Sequence, residues 1–224
     1  MGIRRAAERD ANFAYLLAGL LLALAAGPVL DEFELVRGGL VPSVIFTGTM
    51  VIGIWSLLEQ KIWFWFGVAL IALMFSGILA RIFGSDPMLN LISLFATFLF
   101  CCLSTAFATR HLFSGQGITG NRLIGAVCVY LLIGIAISTL NMVIFQFVPG
   151  SFRGLENIHT SATGTNMIYY TFVTMSTLGY GDISPARPLA RGLAYMAAVA
   201  GQFYIAILVS LLVSMYLSGR SNDS

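Results

Sequence analysis

The sequence predicts an all-α membrane protein with six transmembrane helices and a shorter re-entrant helix between the fifth and the sixth. Three observations carry this prediction. Of the 224 residues, 58% are hydrophobic and only 10% are charged, whereas a soluble domain averages about 25% charged residues. The apolar residues gather in six long runs, each close to the ~20 residues that cross a bilayer. A further run, Met167 to Met175, is apolar but too short to cross.

The first four runs predict a four-helix domain over residues 13–110. They extend from Phe13 to about Leu30, from about Leu40 to Leu58, from about Ile62 to Ile82 and from about Met88 to Thr109. The first run exceeds the core of a signal peptide, which has about 7–15 residues, so we expect it to be a retained helix. Residues 1–12 are polar and predict a cytoplasmic amino-terminal segment.

The remaining residues predict a pore domain over residues 121–217 and a short cytoplasmic tail over residues 218–224. The fifth helix is predicted from about Leu123 to Val148 and the sixth from about Leu189 to Leu217. Six spans place both termini on one side of the membrane. With the amino terminus inside, cytoplasmic segments carry more of the 12 basic residues than external ones do, as expected for a multi-pass protein of the cell membrane.

The stretch from Thr174 to Asp182, between the short apolar run and the sixth helix, is where the sequence indicates a chemistry. Gly179 and Gly181 alternate with Leu178 and Tyr180. Glycine takes positive φ freely, so alternating glycines let successive carbonyls point to the same side of the chain. Such a row of carbonyls, with a threonine hydroxyl below it, can replace the water shell of a cation.

The string Thr-Leu-Gly-Tyr-Gly-Asp, preceded by Thr174 and Ser176, resembles the selectivity filter of potassium channels. The resemblance covers about Asn121 to Leu217. It implies a potassium-selective channel that conducts K⁺ passively. The filter residues that it implies are Thr177, Leu178, Gly179, Tyr180 and Gly181, with K⁺ held by the carbonyls of the first four and by the Thr177 hydroxyl.

The resemblance also implies roles for residues around the filter. Tyr169 and Tyr170 stand where the family often has an aromatic pair, which would brace Tyr180. Thr174 would support the filter, and Asp182 would lie at the outer mouth and attract cations. Val173 stands where some members have a carboxylate that engages the filter aspartate, so that partner is missing.

Two residues of the sixth helix are candidates for gating and for the cavity. Gly201 lies at the spacing from the filter at which the family often has a hinge glycine. It could equally allow close helix packing, and the sequence leaves both readings open. Gln202 is polar at the presumed depth of the cavity, where it would line the cavity or bond to a neighbouring helix.

The predicted pore requires a homotetramer. One chain supplies one filter strand, and one strand cannot surround an ion, whereas copies around a common axis can. Non-helical backbone at membrane depth is tolerated only where it lines a cavity or is buried in protein. The expected partners are K⁺, membrane lipids and further copies of the chain. No cofactor is expected, and the net charge of +2 favours no nucleic-acid partner.

The fourth helix occupies the place of a voltage-sensing helix without its charges. No Lys or Arg lies between Pro87 and Arg110. Because one charge crossing the field gains only about 2.3 kcal/mol per 100 mV, a sensor needs several basic residues. We therefore expect a channel that is not steeply voltage-gated.

Three alternatives remain at the level of sequence. The chain could be a weakly selective cation channel, or a regulatory pore subunit that assembles with other chains. A membrane enzyme such as an intramembrane hydrolase would need a buried Ser–His or carboxylate constellation. Both histidines lie in predicted loops and no Asp or Glu lies in the middle of a span, so the sequence favours no enzymatic activity.

Overall fold

The computed structural model describes residues 2–33, 40–55, 61–83, 87–113, 120–155 and 163–221 of the chain. These ranges contain seven helices and one two-stranded antiparallel sheet. The helices are α1 Gly2–Glu32, α2 Leu40–Trp55, α3 Lys61–Phe83, α4 Pro87–Phe113, α5 Gly120–Phe147, α6 Thr163–Met175 and α7 Pro188–Ser221. The strands are β1 Phe152–Arg153 and β2 Ser184–Pro185, which pair antiparallel.

Within the described ranges, four helices are long and apolar enough to cross a bilayer. The qualifying segments are Phe13–Leu30, Met88–Arg110, Gly120–Phe147 and Pro188–Leu211, in α1, α4, α5 and α7. The apolar part of α3, Gly67–Leu79, is shorter. Four of the six predicted spans are therefore supported by length and composition, and spans through α2 and α3 stay predictions.

Two helices begin earlier than the apolar runs that predicted them. α1 starts at Gly2 rather than Phe13, so most of the predicted polar segment 1–12 is helical. Alanine, arginine and glutamate in this segment are strong helix formers despite their polarity or small size. α6 starts at Thr163 rather than Met167. Its first turn is polar, so the apolar run in the sequence did not include it. At the other end α7 continues to Ser221, into the predicted tail, of which residues 222–224 lie outside the described ranges.

Helix α5, the predicted outer helix of the pore, is flanked by two helices of the four-helix domain. The Cys128 thiol of α5 donates to the Phe13 carbonyl of α1 over 3.7 Å, and Gly27 of α1 lies against Thr165 of α6. α1 and α5 therefore run parallel, and the carboxyl end of α1 lies beside the start of α6. On the other flank Asn90 of α4 donates to Gln146 of α5 over 3.3 Å, so these two helices run antiparallel.

One apolar core joins the four-helix domain to α5. Its buried members come from α1 to α5: Leu20, Met50, Leu70, Met74, Ala96, Phe100, Cys101, Cys128, Leu131, Leu132, Ile135 and Ala136. Phe172 of α6 packs against the same core. The four leading helices thus pack on the pore region rather than standing apart from it.

Small residues set the closest helix approaches in the four-helix domain. Gly19 of α1 lies against the Thr49 side chain of α2, and Gly77 of α3 lies against Ser93 of α4. Ser93 also donates its hydroxyl to the Met74 carbonyl over 3.2 Å. Membrane helices associate in this way because close backbone approach gains van der Waals contact where no hydrophobic drive exists.

Candidate ion-conduction site

The short helix α6 lies between α5 and α7 and leads directly into the predicted filter. The ring of Phe172 rests on Gly134 of α5. At the carboxyl end of α6, the backbone of Met175 lies against Gly201 of α7. Two glycines, one on each flanking helix, therefore let α6 fit closely between its neighbours.

The backbone after α6 alternates in handedness. Thr177, Gly179 and Gly181 have φ values of 60°, 56° and 83°. The intervening Leu178 and Tyr180 are not among the residues with positive φ. Alternation between the two handed regions places successive N–H groups on one side of the chain and the carbonyls on the other. This is the geometry that the alternating glycines predict, and it extends one step further to Thr177.

The N–H side of this stretch faces the end of α6. The N–H of Thr177 donates to the Thr174 carbonyl over 3.0 Å. The N–H groups of Leu178 and Gly179 both donate to the Val173 carbonyl, over 3.0 and 3.3 Å. Among the described residues, no backbone N–H donates to the carbonyls of residues 177–181. The N–H groups of the first three residues are therefore satisfied by α6, whereas the carbonyls are left open to a ligand.

Thr177 is the one described non-glycine residue with positive φ. A side chain in this region costs roughly 1–2 kcal/mol relative to the right-handed region. Such strain clusters at functional sites, where the surrounding structure holds it in place. The Thr177 hydroxyl donates to the Ser176 carbonyl over 2.7 Å. The same oxygen lies 3.5 Å from Nε2 of Gln202, which is placed to donate to it.

Tyr169 contacts both Tyr180 and Asp182. Its ring stacks on that of Tyr180, with centroids 6.4 Å apart and planes at 10°. Its hydroxyl donates to Asp182 Oδ2 over 2.7 Å. This hydrogen bond stabilises the carboxylate and lowers the pKa of Asp182. Asp182 therefore has a partner although Val173 supplies none, and α6 provides it from a different position than the sequence suggested.

Tyr170 departs from its expected position behind Tyr180. Within the chain its ring lies edge-on to Phe152 of β1, with centroids 5.3 Å apart. It belongs to a second buried cluster with Leu155, Met167, Ile183 and Ala190. Adjacent residues on a helix point about 100° apart, so Tyr169 and Tyr170 cannot both face the filter of their own chain. Tyr170 instead packs α6 against β1.

The two-stranded sheet lies next to Asp182, at the end of the predicted filter stretch. Phe152 pairs with Pro185 and Arg153 with Ser184, and the Ser151 carbonyl accepts the N–H of Ala186 over 2.8 Å. Gly154 has φ 88°, and a Cβ there would overlap the Asp182 carbonyl. The segment before α6 thus reaches the residue that ends the filter, a contact for which the sequence gives no signal beyond one glycine.

For Gly201, the structure favours the packing interpretation over the hinge. A Cβ on Gly201 would lie 2.8 Å from the carbonyl carbon of Met175 and 2.9 Å from its Cα, and it would overlap the carbonyl oxygen. Backbone atoms cannot rotate out of the way, so only glycine fits. One turn further, the Tyr204 hydroxyl donates to the Ala126 carbonyl of α5 over 2.7 Å and ties α7 to α5.

Gln202 points toward the lower end of the filter. Its Nε2 lies 3.5 Å from Thr177 Oγ1, the limit of a hydrogen bond. The side chain is exposed in the single chain. The structure thus places Gln202 beside Thr177, and a role for Gln202 in lining a cavity stays a prediction.

A buried polar pair that the sequence analysis missed joins α5 to α6. Asn141 Nδ2 donates to Thr171 Oγ1 over 3.0 Å, and the Thr171 hydroxyl donates to the Met167 carbonyl of its own helix over 2.7 Å. Asn141 and Thr171 are 1% and 0% exposed. An asparagine within an apolar transmembrane run is itself a signal of interhelical hydrogen bonding. Asn141 in the apolar run of the fifth predicted helix could therefore have indicated this bond from the sequence.

In the described part of the chain, no three His, Cys, Asp or Glu residues lie close enough together to hold a metal ion. Main-chain carbonyl oxygens are aligned in the predicted filter stretch.

Comparison with known proteins places residues 126–218 in a family model described as ion channel. Two plant proteins are similar to part of the chain. Two pore potassium channel c of Oryza sativa subsp. japonica is 31% identical over 88 residues, which are 37% of this chain and 18% of the relative. Two-pore potassium channel 2 of Arabidopsis thaliana is 28% identical over 102 residues, 46% of this chain and 20% of the relative.

The chain thus spans about a fifth of the length of these curated relatives. No solved structure matches it significantly. The family model covers α7 together with α6, the filter stretch and nearly all of α5. Over residues 126–218 the chain is therefore similar to ion channels, and both relatives are named as potassium channels.

Proposed function

We propose that this chain is the pore-forming subunit of a K⁺-selective channel and works as a homotetramer. One observation carries the proposal: positive φ recurs at every second residue from Thr177 to Gly181, which aligns successive carbonyls on one side, and the N–H groups of residues 177–179 are bonded to α6. Carbonyls without donors need water or a cation. Copies of this stretch around one axis would offer K⁺ the oxygen ligands that it loses with its hydration shell.

In this mechanism the carbonyls of Thr177, Leu178, Gly179 and Tyr180, with the Thr177 hydroxyl, form successive K⁺ sites. Gly181 lets the chain leave the filter, and Asp182 concentrates cations at the outer mouth. Tyr169 holds Tyr180 and Asp182 in place. The carboxyl end of α6 carries a partial negative charge from the helix dipole, which would stabilise a cation waiting below the filter.

The exposed surface of the single chain supports assembly. Residues 176–182 are all exposed, although filter backbone at membrane depth must line a cavity or be buried in protein. Large apolar side chains of α7 are also uncovered, among them Tyr195, Met196 and Phe203. Further copies of the chain, with lipid outside, would cover both surfaces. K⁺ and lipids are then the other partners, and no cofactor is needed.

The placement of the helices supports a cell-membrane orientation with both termini cytoplasmic. The start of α6, the two-stranded sheet and Asp182 lie at the same end of the bundle as the carboxyl ends of α1 and α5. An inner amino terminus puts this end outside the cell. α4 contains no basic residue before Arg110. A channel with that helix would show a shallow dependence of open probability on voltage.

Reconstitution of the purified chain tests this function. Wild-type protein in liposomes should pass K⁺ in preference to Na⁺, and Tyr180→Ala should lose K⁺-selective flux because it removes the ring held by Tyr169. The control is Tyr15→Ala on α1, since Tyr15 is similarly exposed, at 64% against 66% for Tyr180. It should leave selectivity unchanged.

Other outcomes identify the alternatives. Equal K⁺ and Na⁺ flux in the wild type would indicate a weakly selective cation channel. No flux from a correctly assembled chain would indicate a regulatory pore subunit. The relatives are named as channels, which at the level of the family disfavours the membrane-enzyme alternative.

A further inference from the structure

The buried pair between α5 and α6 links the outer helix to the part of α6 that holds the filter. From its geometry we infer that Asn141 is a positioning residue for ion selectivity, acting through Thr171. It does not touch the ion path. It fixes the register of α6 against α5, and through α6 it fixes the orientation of the filter carbonyls. This inference rests on the proposed function as a K⁺-selective pore.

The side-chain amide of Asn141 is buried with one of its polar atoms unpaired in the part of the chain that the structure describes. Asn141 is fully buried in an otherwise apolar helix, and within the described residues its Oδ1 accepts no hydrogen bond. Leaving a buried acceptor unpaired is unfavourable, and a leucine of similar size would avoid that penalty. An amide at this position therefore contributes something other than stability. A directional bond to Thr171 is what a leucine could not supply.

Two contacts on one face of α5 fix the register of α6 against it. Asn141 lies seven residues after Gly134, two turns along the same face of α5. Gly134 receives the ring of Phe172, and Asn141 bonds Thr171, the residue beside it. A flat ring on a glycine is an apolar contact that tolerates sliding, because apolar attraction has no direction. The hydrogen bond adds a directional fixed point, as a buried asparagine does in fixing the register of coiled coils.

Backbone hydrogen bonds connect α6 to the filter stretch. Thr171 is followed within one turn by Val173 and Thr174, whose carbonyls accept the N–H groups of Gly179, Leu178 and Thr177. A shift or rotation of α6 moves these acceptors as a rigid body. The N–H side of the filter would follow them, and the carbonyls on the opposite side would leave their common alignment. Loss of the bond between Asn141 and Thr171 should therefore shift α6, then the N–H groups bonded to it, and so lower ion selectivity.

A double-mutant cycle in reconstituted full-length protein tests the inference. Asn141→Leu and the near-isosteric Thr171→Val each remove the bond with little change of volume. Each should lower the K⁺:Na⁺ permeability ratio, measured from reversal potentials, by about tenfold. The double variant should be no worse than either single variant, since both remove the same bond.

The matched control is Ser138→Ala. Ser138 is equally buried on α5, but its hydroxyl donates to the Ile135 carbonyl of its own helix over 2.8 Å. It should keep the wild-type ratio. Chromatography of each purified variant confirms assembly, and Thr171→Val carries the test if Asn141→Leu does not assemble.

A purely structural role would change yield or thermal stability while the ratio stayed the same, and that result would overturn the inference. Additive losses in the double variant would overturn it as well, because they would show independent effects. A wild-type protein without K⁺ preference would instead overturn the proposed function, and this inference with it. Since the wild type is measured separately, the two failures are distinguishable.

Discussion

The four-helix domain and the pore region use glycine against different neighbours. In the four-helix domain, Gly19 meets the side chain of Thr49 and Gly77 meets that of Ser93. In the predicted pore region, Gly134 also meets a side chain, that of Phe172, but Gly201 meets the backbone of Met175 and Gly154 meets the backbone carbonyl of Asp182. Helices can move apart slightly to relieve a side-chain contact. A backbone that carries the filter cannot move without changing the filter.

Side-chain hydrogen bonds of the two regions differ in the elements that they join. In α1 to α4, Thr49 and Thr97 each donate to a carbonyl of their own helix, and Ser93 of α4 donates to a carbonyl of α3. In the predicted pore region, Asn141, Tyr169 and Tyr204 each donate to a different element. Side-chain hydrogen bonds between elements thus occur in both regions, and in the predicted pore region they reach the helix and the stretch that would form the filter. Substitutions in the first should change stability, and substitutions in the second should change conduction.

Gly201→Ala should have the largest effect. Its Cβ would overlap the carbonyl of Met175, and overpacking of this kind costs about 1–3 kcal/mol or more where the neighbour cannot yield. We expect loss of K⁺ flux in liposomes. The control, Gly192→Ala, lies on the same helix with no atom within 4 Å of the added Cβ. It should conduct normally and gain up to about 1 kcal/mol of helix stability. Wild-type flux through Gly201→Ala would remove the distinction between the two regions.

Gly19→Ala should have an intermediate effect of a different kind. The added Cβ would lie 2.7 Å from Thr49 Oγ1 and 3.1 Å from its Cβ, so α1 and α2 must separate slightly. We expect a lower melting temperature in detergent, from a cost of about 1–3 kcal/mol partly offset by the better helix propensity of alanine. The K⁺:Na⁺ permeability ratio should stay at its wild-type value. Gly48→Ala, with no atom within 4 Å of its Cβ, is the control and should show no loss. Altered selectivity in Gly19→Ala would show that the four-helix domain shapes the filter.

Tyr169→Phe should have the smallest effect, on acid sensitivity. The Tyr169 hydroxyl lowers the pKa of Asp182, so the charged form is favoured in the folded protein. That contribution is present above the ordinary pKa of aspartate and is lost as the external pH falls through the lowered value. Without the hydroxyl, the pKa returns toward its ordinary value, and acid inhibition of the current should begin at a higher external pH. Recordings over an external acid titration measure this shift.

The control for Tyr169→Phe is Tyr170→Phe, because the Tyr170 ring packs on Phe152 of β1 instead. An acid titration that moves equally in both variants would contradict the assignment of the Asp182 partner.

The sequence predicted those features that depend on one kind of residue in one place. The alternating glycines predicted the alternating backbone between Leu178 and Gly181, because positive φ is a property of glycine itself. Long apolar runs predicted the helices, because length and hydropathy are local properties. The positive φ of Thr177 was not predicted, since nothing in a threonine side chain requires that backbone conformation.

Features that depend on pairs of distant residues were not predictable. Asn141 and Thr171 are 30 residues apart, and their bond exists only once α5 and α6 are packed. The choice between hinge and packing at Gly201 needed the position of Met175, and the partner of Asp182 needed the rotation of α6. The polar first turn of α6 escaped notice because hydropathy marks only the apolar part of a helix.

The reversal potential of the wild-type chain, purified alone and recorded with K⁺ on one side of a bilayer and Na⁺ on the other, is the most direct test. If the aligned carbonyls of Thr177 to Tyr180 replace water around K⁺, the current should reverse near the limit set by K⁺ permeation alone. A reversal potential near zero, from protein shown to be assembled, would contradict the account.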